Sequence, residues 1–400
     1  MTPFEAQHPF RSASRARVVA VSLATTLLAA AIFAGSSALV VPTVAQADQP
    51  SSPSLSIDWR QKLHSLPPMA WKPREPAGVV ASPHGSWLFI GAQQGLSAVA
   101  AGSGREIWRL ETAERVESRP WLDGETVYVA TVDGQIQGLR ARSGSPVWEA
   151  PTRIDATVHG PLTGDASRLY VIGQPGVIAA IERATGKVAW RFRDEANREF
   201  LVEVGGGPLV LSNLVFGGLA NGKLVALSSR DGGVVWEVPL GASDEGPYVD
   251  VATTPIHVPD AAGPGRLLVA SYNGGLYALS VADGSTIWRA PGEAIGQPVV
   301  AGGRIWTVSA RGVLEVLDLS SGRSLMSRRL SNEPSGALSL VEDLVLVPGE
   351  QGLDLVAQAS GRSLTRVYDE FGFAAAPLAV GGRLYAVTNG GNALALRLHR

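Results

Sequence analysis

Cysteine is absent from this chain. Its absence excludes a disulfide framework, a thiolate metal site, a cysteine nucleophile and a lipid-modified N-terminal cysteine. Charge is scarce as well. Only 18% of the 400 residues are Asp, Glu, Lys or Arg, and the formal net charge is −2. No basic surplus is available to hold nucleic acid or an anionic membrane surface. The six histidines are His8, His64, His84, His159, His257 and His399. None is paired at metal-ligand spacing, and they read as surface or loop residues. There is no G-x-S-x-G nucleophile elbow, no Walker A loop and no G-x-G-x-x-G following a strand.

Glycine and proline are plentiful, with 46 and 26 copies, and 45% of the chain is hydrophobic. That composition suits a turn-rich all-β fold with a large core. The glycines recur in a pattern. Gly104-Arg-Glu-Ile-Trp108, Gly144-Ser-Pro-Val-Trp148, Gly186-Lys-Val-Ala-Trp190, Gly232-Gly-Val-Val-Trp236 and Gly284-Ser-Thr-Ile-Trp288 follow one another. Two degenerate copies end at Met326 and Thr365, and successive copies are 38 to 52 residues apart. A repeat of this length built from short strands is the mark of a β-propeller blade. The stretch from Thr254 to Trp288 shows one blade whole. Asn273-Gly274 and Asp283-Gly284 supply turns, and apolar residues lie on both sides of Leu276–Ser280. The tryptophans are expected to pack between blades, with the indole N–H near the rim.

The last repeat, Ala376–Leu396, stops after three strands, while Ser56–Arg60, with Trp59, is a fourth strand with no blade before it. Pairing the two closes a ring of eight four-stranded antiparallel blades and removes two exposed edges. Ahead of that strand, Arg11, Arg15 and Arg17 precede an apolar run from Val18 to Val41, and Ala45-Gln46-Ala47 offers a cleavage site. Residues 1–47 thus read as an export signal or a signal anchor, 48–55 as a linker and 56–400 as the propeller. Either form of the N-terminus places the propeller in the periplasm or cell envelope. Membrane association arises only through the uncleaved segment.

Chemistry that would mark an enzyme is missing, and no cofactor or metal is expected. Gly205-Gly206-Gly207-Pro208 leads into a strand rather than a helix and reads poorly as a phosphate cradle. Asp123-Gly124, Asp133-Gly134, Asp231-Gly232 and Asp283-Gly284 sit at hairpin positions and lack the alternating oxygen ligands of a calcium loop. Asp194 and Glu195 read as a solvated pair. The repeat is irregular after Trp190 and after Trp236, in residues 191–204 and 240–251. These connections follow equivalent tryptophans in consecutive blades and should emerge side by side. Phe200, Val202, Glu203, Tyr248 and Asp250 make a mixed apolar and charged patch, the composition of a protein interface.

The blade pattern Asn/Asp-Gly-x-Leu/Val-x-Ala-Leu followed by Gly-x-x-x-Trp resembles the pyrroloquinoline-quinone-like propeller repeats. Within that group, Phe216–Leu227 with Gly-Val-Val-Trp236, Asp250-Val-Ala-Thr-Thr-Pro255 and Tyr272–Leu279 resemble the BamB family of outer-membrane assembly factors. The resemblance implies an eight-bladed monomeric scaffold without catalytic activity. It implies docking on a barrel-inserting outer-membrane protein through two neighbouring loops, matching the two irregular connections. The family's leucine-serine-leucine-arginine stretch falls near Phe200-Leu201-Val202-Glu203, and its second docking-loop aspartate falls on Ala252. Family members are typically lipoproteins, which this chain cannot be. Two other readings fit the repeat: an envelope propeller that binds another protein or a cell-wall polymer, and a quinoprotein dehydrogenase.

Overall fold

A strand apolar on both faces has to be covered on both faces. Leu96–Val99, Val177–Ile181, Leu224–Leu227 and Leu276–Leu279 are buried throughout, and stacking sheet against sheet around an axis covers them all. The computed structural model describes residues 53–66, 73–194, 205–240, 250–251, 253–261, 263–292 and 296–400. They form eight four-stranded antiparallel sheets, the expected eight-bladed propeller. Blades one to seven span Val79–Glu111, Trp121–Arg153, Thr163–Arg193, Leu209–Pro239, Ile256–Ala290, Val299–Arg329 and Ser339–Tyr368. Blade eight combines Leu378–His399 with the N-terminal strand Ser54–Lys62. That strand is longer than the sequence suggested. It pairs from Ser54 opposite His399 to Lys62 opposite Asn392, with a bulge at Asp58. The bulged carboxylate accepts hydrogen bonds from Arg383 Nε at 2.8 Å and Arg397 Nη2 at 2.9 Å.

The core sits in the seams between blades. Leu63, Ile90, Val99 and Tyr385 join blades eight and one, and Phe216, Leu240, Val269 and Leu279 join blades four and five. The turn glycines behave largely as expected. Gly124, Gly134, Gly232 and Gly284 all have positive φ, but in the Asn273-Gly274 hairpin the left-handed residue is the following Gly275. The aspartates beside these turns cap backbone N–H groups. Asp231 Oδ1 accepts from Gly233 N at 3.1 Å and Asp283 Oδ1 from Ser285 N at 3.1 Å.

Gly and Trp of the repeat meet across the seam, each tryptophan lying on the glycine of the next blade. A Cβ on Gly186 would lie 2.6 Å from the Trp148 ring, and one on Gly104 would lie 2.6 Å from Trp59. The indole N–H does not point to solvent, as the sequence reading had it. Trp59, Trp108, Trp148, Trp190 and Trp236 donate to the carbonyls of Ala101, Ala141, Arg183, Ser229 and Val281, at 2.8–3.2 Å. Each acceptor stands three residues before the next blade's glycine. The outward-looking position is in fact roofed by the neighbouring turn, where an unpaired N–H would lose its bond to water. Trp288 covers Gly322 in the same way, without that bond.

Within its own blade Trp59, Trp108, Trp190 and Trp236 each lie opposite an alanine and reach an aromatic on the second strand, whereas Trp288 reaches Leu268. Trp190 opposes Ala180, which opposes Tyr170, and the two ring centroids are 5.9 Å apart. Where the outer residue shrinks, the residue beneath it grows. Met326 lies opposite Val316 and Trp306, and Thr365 opposite Leu355 and Leu346. The larger residue on the third strand offsets part of the lost ring volume, as close packing favours.

Gly186→Ala and Gly124→Ala separate this clasp from backbone conformation. Both glycines have positive φ, 75° and 57°, but only Gly186 faces a ring, since nothing lies within 4 Å of a Cβ at Gly124. Gly124→Ala should cost about 1–2 kcal/mol for the left-handed backbone. Gly186→Ala should cost about 1–3 kcal/mol more for overpacking against Trp148. Denaturant unfolding of the two variants measures the difference, and equal losses would refute the clasp.

Candidate functional site

The two irregular connections leave the fold from equivalent points. The first residue beyond the outer strand bonds back to the hairpin between the second and third strands of its own blade. Asp194 N donates to Gly176 O at 2.9 Å in blade three, and Leu240 N to Gly222 O at 2.7 Å in blade four. Ile154, Leu330 and Leu63 make the same bond in blades two, six and eight. The connections therefore root side by side on the face that carries these hairpins. Asn221 Nδ2 donates to Asp194 Oδ2 at 2.5 Å, so this carboxylate is tied to the next blade's hairpin rather than solvated alone.

Of the five patch residues, Phe200, Val202, Glu203 and Tyr248 lie outside the described residues, as do the N-terminal 52 residues and Glu195. Asp250 is described, and it is only 2% exposed. It is not a rim charge. Its carbonyl accepts from Tyr272 N at 2.9 Å, and the adjacent Val251 donates to Leu219 O at 3.1 Å. The chain is already packed between blades four and five when it reaches Asp250. The six blade tryptophans, Trp59, Trp108, Trp148, Trp190, Trp236 and Trp288, are distributed around the ring in the seams and do not converge on one site.

On the same face, the segments that lead into successive inner strands abut one another. A Cβ on Gly160 would lie 2.4 Å from Gly206 O, one on Gly206 2.5 Å from the Thr253 carbonyl carbon, and one on Gly336 2.1 Å from Ala374 O. Gly207 N donates to Thr254 Oγ1 at 2.7 Å, and Thr254 N to Gln297 Oε1 at 2.8 Å. The glycine run 205–207 serves this close approach of backbones. A sequence signal for it exists: Pro120, Pro208, Pro255, Pro298 and Pro377 each stand immediately before an inner strand, with Ser, Thr, Gly or Ala two places earlier. Proline suits that place because its missing N–H falls where no ladder bond is needed.

Two histidines depart from the surface reading. His64 Nε2 and Glu75 Oε1 are 2.6 Å apart, with both side chains at most 2% exposed. Glu75 N donates to Asn389 Oδ1 at 3.0 Å. The pair fastens the segment after the N-terminal strand to the entry of blade one. His159 Nδ1 lies 2.7 Å from Glu117 Oε2. His64 is raised above its ordinary 6.5, chiefly by the hydrogen bond to Glu75. Glu75 is raised by desolvation. Glu117 is pulled down to about 2, chiefly by the hydrogen bond to His159.

The residues present do not fit a quinone and calcium centre of the dehydrogenase kind. Five tryptophans donate their indole N–H across seams, a vicinal disulfide is impossible without cysteine, and among the described residues no three His, Asp or Glu side chains converge as metal ligands.

These pairs contribute to the pH dependence of stability. A raised histidine stabilises the fold fully below its ordinary value, and the contribution is lost as pH rises through the folded value. Glu75, also raised, reinforces retention of the shared proton. The lowered Glu117 contributes above pH 4.5, and that contribution is lost as pH falls toward about 2. Thermal melts from pH 2.5 to 9 should show both declines. Glu117→Gln should lessen the acid-side decline, to which other lowered carboxylates such as Asp165 also contribute. His64→Asn should remove the alkaline one and cost about 3–5 kcal/mol at pH 6 by leaving Glu75 unpaired. An alkaline decline unchanged in His64→Asn would rule this pair out as its source.

A protein of Kangiella koreensis called outer membrane protein assembly factor BamB is 27% identical over 187 residues, covering 45% of this chain and 47% of that protein. This chain thus spans about half the length of that relative. The crystal structure of BamB from Moraxella catarrhalis superposes with a TM-score of 0.73 at 18% identity, covering 86% of this chain and all of that one. Quinohemoprotein alcohol dehydrogenase from Comamonas testosteroni superposes with a TM-score of 0.67 at 15% identity, covering 86% of this chain and 76% of that one. At such identities the structures speak for the fold alone. The family model described as outer membrane protein assembly factor BamB matches residues 56–153, 140–328 and 249–366, nearly the whole propeller, and the chain belongs to that family.

Proposed function

We propose that this protein is a non-enzymatic scaffold of the cell envelope that takes part in the assembly of outer-membrane β-barrel proteins. Its partner on this reading is the barrel-inserting membrane protein. The observation that carries it is the rooting of two irregular connections at equivalent points of adjacent blades on one face, in a chain of the BamB family. A regular ring offers the same surface eight times over. Two neighbouring departures give one place on it a distinct chemistry, which is what recognition of a single partner needs. Phe200, Val202, Glu203 and Tyr248 supply the contact. Asp250 anchors the root of the second connection from inside.

Absence of catalysis is part of the proposal. It is supported by the commitment of the tryptophans to the seams and by the poor fit to a quinone centre. On the same reading the N-terminal segment exports the chain. Cleavage after Ala47 would leave a mature N-terminus at Asp48, six residues before the closing strand begins at Ser54.

The test is capture of the purified periplasmic domains of the barrel-inserting protein by the tagged propeller. Wild type should retain them, and Phe200→Asp with Val202→Asp should lower retention at least tenfold at an unchanged melting temperature. No retention by wild type sinks the scaffold reading. Equal retention by the double variant moves the docking site elsewhere on the ring. N-terminal sequencing of the envelope-associated protein should begin at Asp48, and an intact Met1 would mark an anchor instead.

A further inference from the structure

The seam between blades five and six lacks two side chains that line several other seams of the ring. In blades one, three and seven an arginine follows the outer-strand tryptophan or its replacement and reaches toward the preceding blade, whereas blades two and four carry Glu149 and Glu237 there. Arg109 Nη1 donates to Leu63 O at 2.5 Å, Arg191 Nη2 to Arg153 O at 2.9 Å, and Arg366 Nη2 to Ser331 Oγ at 3.1 Å. Blade six has Ser327 there. Beside these arginines the seam is commonly plugged by a buried aliphatic side chain just past the preceding outer strand, as with Leu63, Ile154, Leu240 and Leu330. Blade five has Gly292 there. Two truncated side chains, distant in sequence, face one seam. A cavity of about 350 Å³ lies at that place, lined by Gly292, Thr307, Val313, Glu315 and Arg329, with Arg311 and Ser309 at the hairpin.

The wall of this cavity carries a carboxylate where its neighbours carry none or carry one already paired. Glu315 stands opposite Ser327 on the outer strand and opposite Thr307 on the second strand. In the next blade the same position holds Asp354, opposite Arg366. There both carboxylate oxygens accept from the guanidinium, Asp354 Oδ1 from Nε and Oδ2 from Nη2 at 3.1 Å. Among the described residues Glu315 makes no ion pair. The register of blade seven thus shows what a carboxylate at this point accepts, and blade six lacks the residue that would supply it.

We propose that the cavity between blades five and six receives an arginine side chain of a partner polypeptide, whose guanidinium pairs with Glu315 in the place of the missing seam arginine. The aliphatic stem lies along Val313 and over Gly292. A planar fork matches a carboxylate with two donors, which an ammonium does not. Arg329 at the mouth then favours an acidic residue next to the inserted arginine. This deepens the protein-docking reading and rests on it for the partner, though the site itself can be probed without one.

The probe is N-acetyl-arginine amide, titrated into the whole protein and followed by backbone amide shifts of Glu315 and Ser327. Saturable binding is expected at a Kd on the order of 1 mM, suited to so small a ligand. N-acetyl-citrulline amide, which has the shape without the charge, should bind at least tenfold more weakly. Glu315→Gln should weaken the arginine probe at least tenfold. Ser327→Arg should abolish its binding and raise the melting temperature by restoring the seam arginine in cis. Binding that survives both substitutions, a lowered melting temperature in Ser327→Arg, or preference for N-acetyl-aspartate amide would each overturn the proposal, the last by making the mouth arginine an anion site. If the barrel-inserting protein is not captured while the arginine probe still binds as described, the site stands and the scaffold assignment alone fails. If it is captured but no arginine probe binds, this proposal alone fails.

Discussion

Everything in this ring depends on an indole lying flat on a glycine of the next blade. The contact needs both partners. The ring excludes any Cβ beneath it, and the turn beneath it must take a left-handed backbone. Glycine meets both demands at once. The N–H of the same indole then satisfies a carbonyl of that turn in five of the six tryptophan clasps, so the large apolar area and the polar group of one side chain are both accommodated at one seam. Blade-to-blade spacing is thereby set by a single residue per repeat, and a closed ring of eight follows from repeating it.

The exceptions obey the same rule. Blade six keeps a reduced clasp, with Met326 packed over Gly361 and a flexible thioether doing what the ring does elsewhere. Thr365 in blade seven faces blade eight, whose third and fourth strands come from opposite ends of the chain and share no connecting turn. There is no glycine to cover, so a tryptophan would have nothing to lie on. The lost tryptophan and the two-ended blade are one fact. The shrinking outer residue is offset in part by Leu355 beneath it, as close packing favours.

Against so regular a background, the informative places are those where the repeat is altered without compensation. Blades three and four add length at their exits. The seam between blades five and six loses two side chains and keeps a carboxylate, with a cavity left over. Two titratable groups brought fully indoors are matched, His64 with Glu75 and Asp354 with Arg366. Matching is what burial of charge demands. A carboxylate left unmatched beside an open space is therefore a feature of a different kind from the structural pairs.

Much of the architecture was legible in the order of residues alone. The Gly-to-Trp interval, the truncated last repeat and the lone first strand dictated eight blades and their closure, because strand alternation and turn chemistry are local and repeat with the chain. The two irregular connections were legible for the same reason, as departures from a period. What the sequence did not reveal was which side chains of different repeats come into contact. That the glycine of one repeat serves the tryptophan of the repeat before, that Asp250 is interior, and that His64 meets Glu75 depend on which surfaces the ring presses together. The same holds for Gly292 and Ser327. Each is an unremarkable small residue in its own repeat, and only the packing of blade five on blade six makes their two absences a single space beside Glu315.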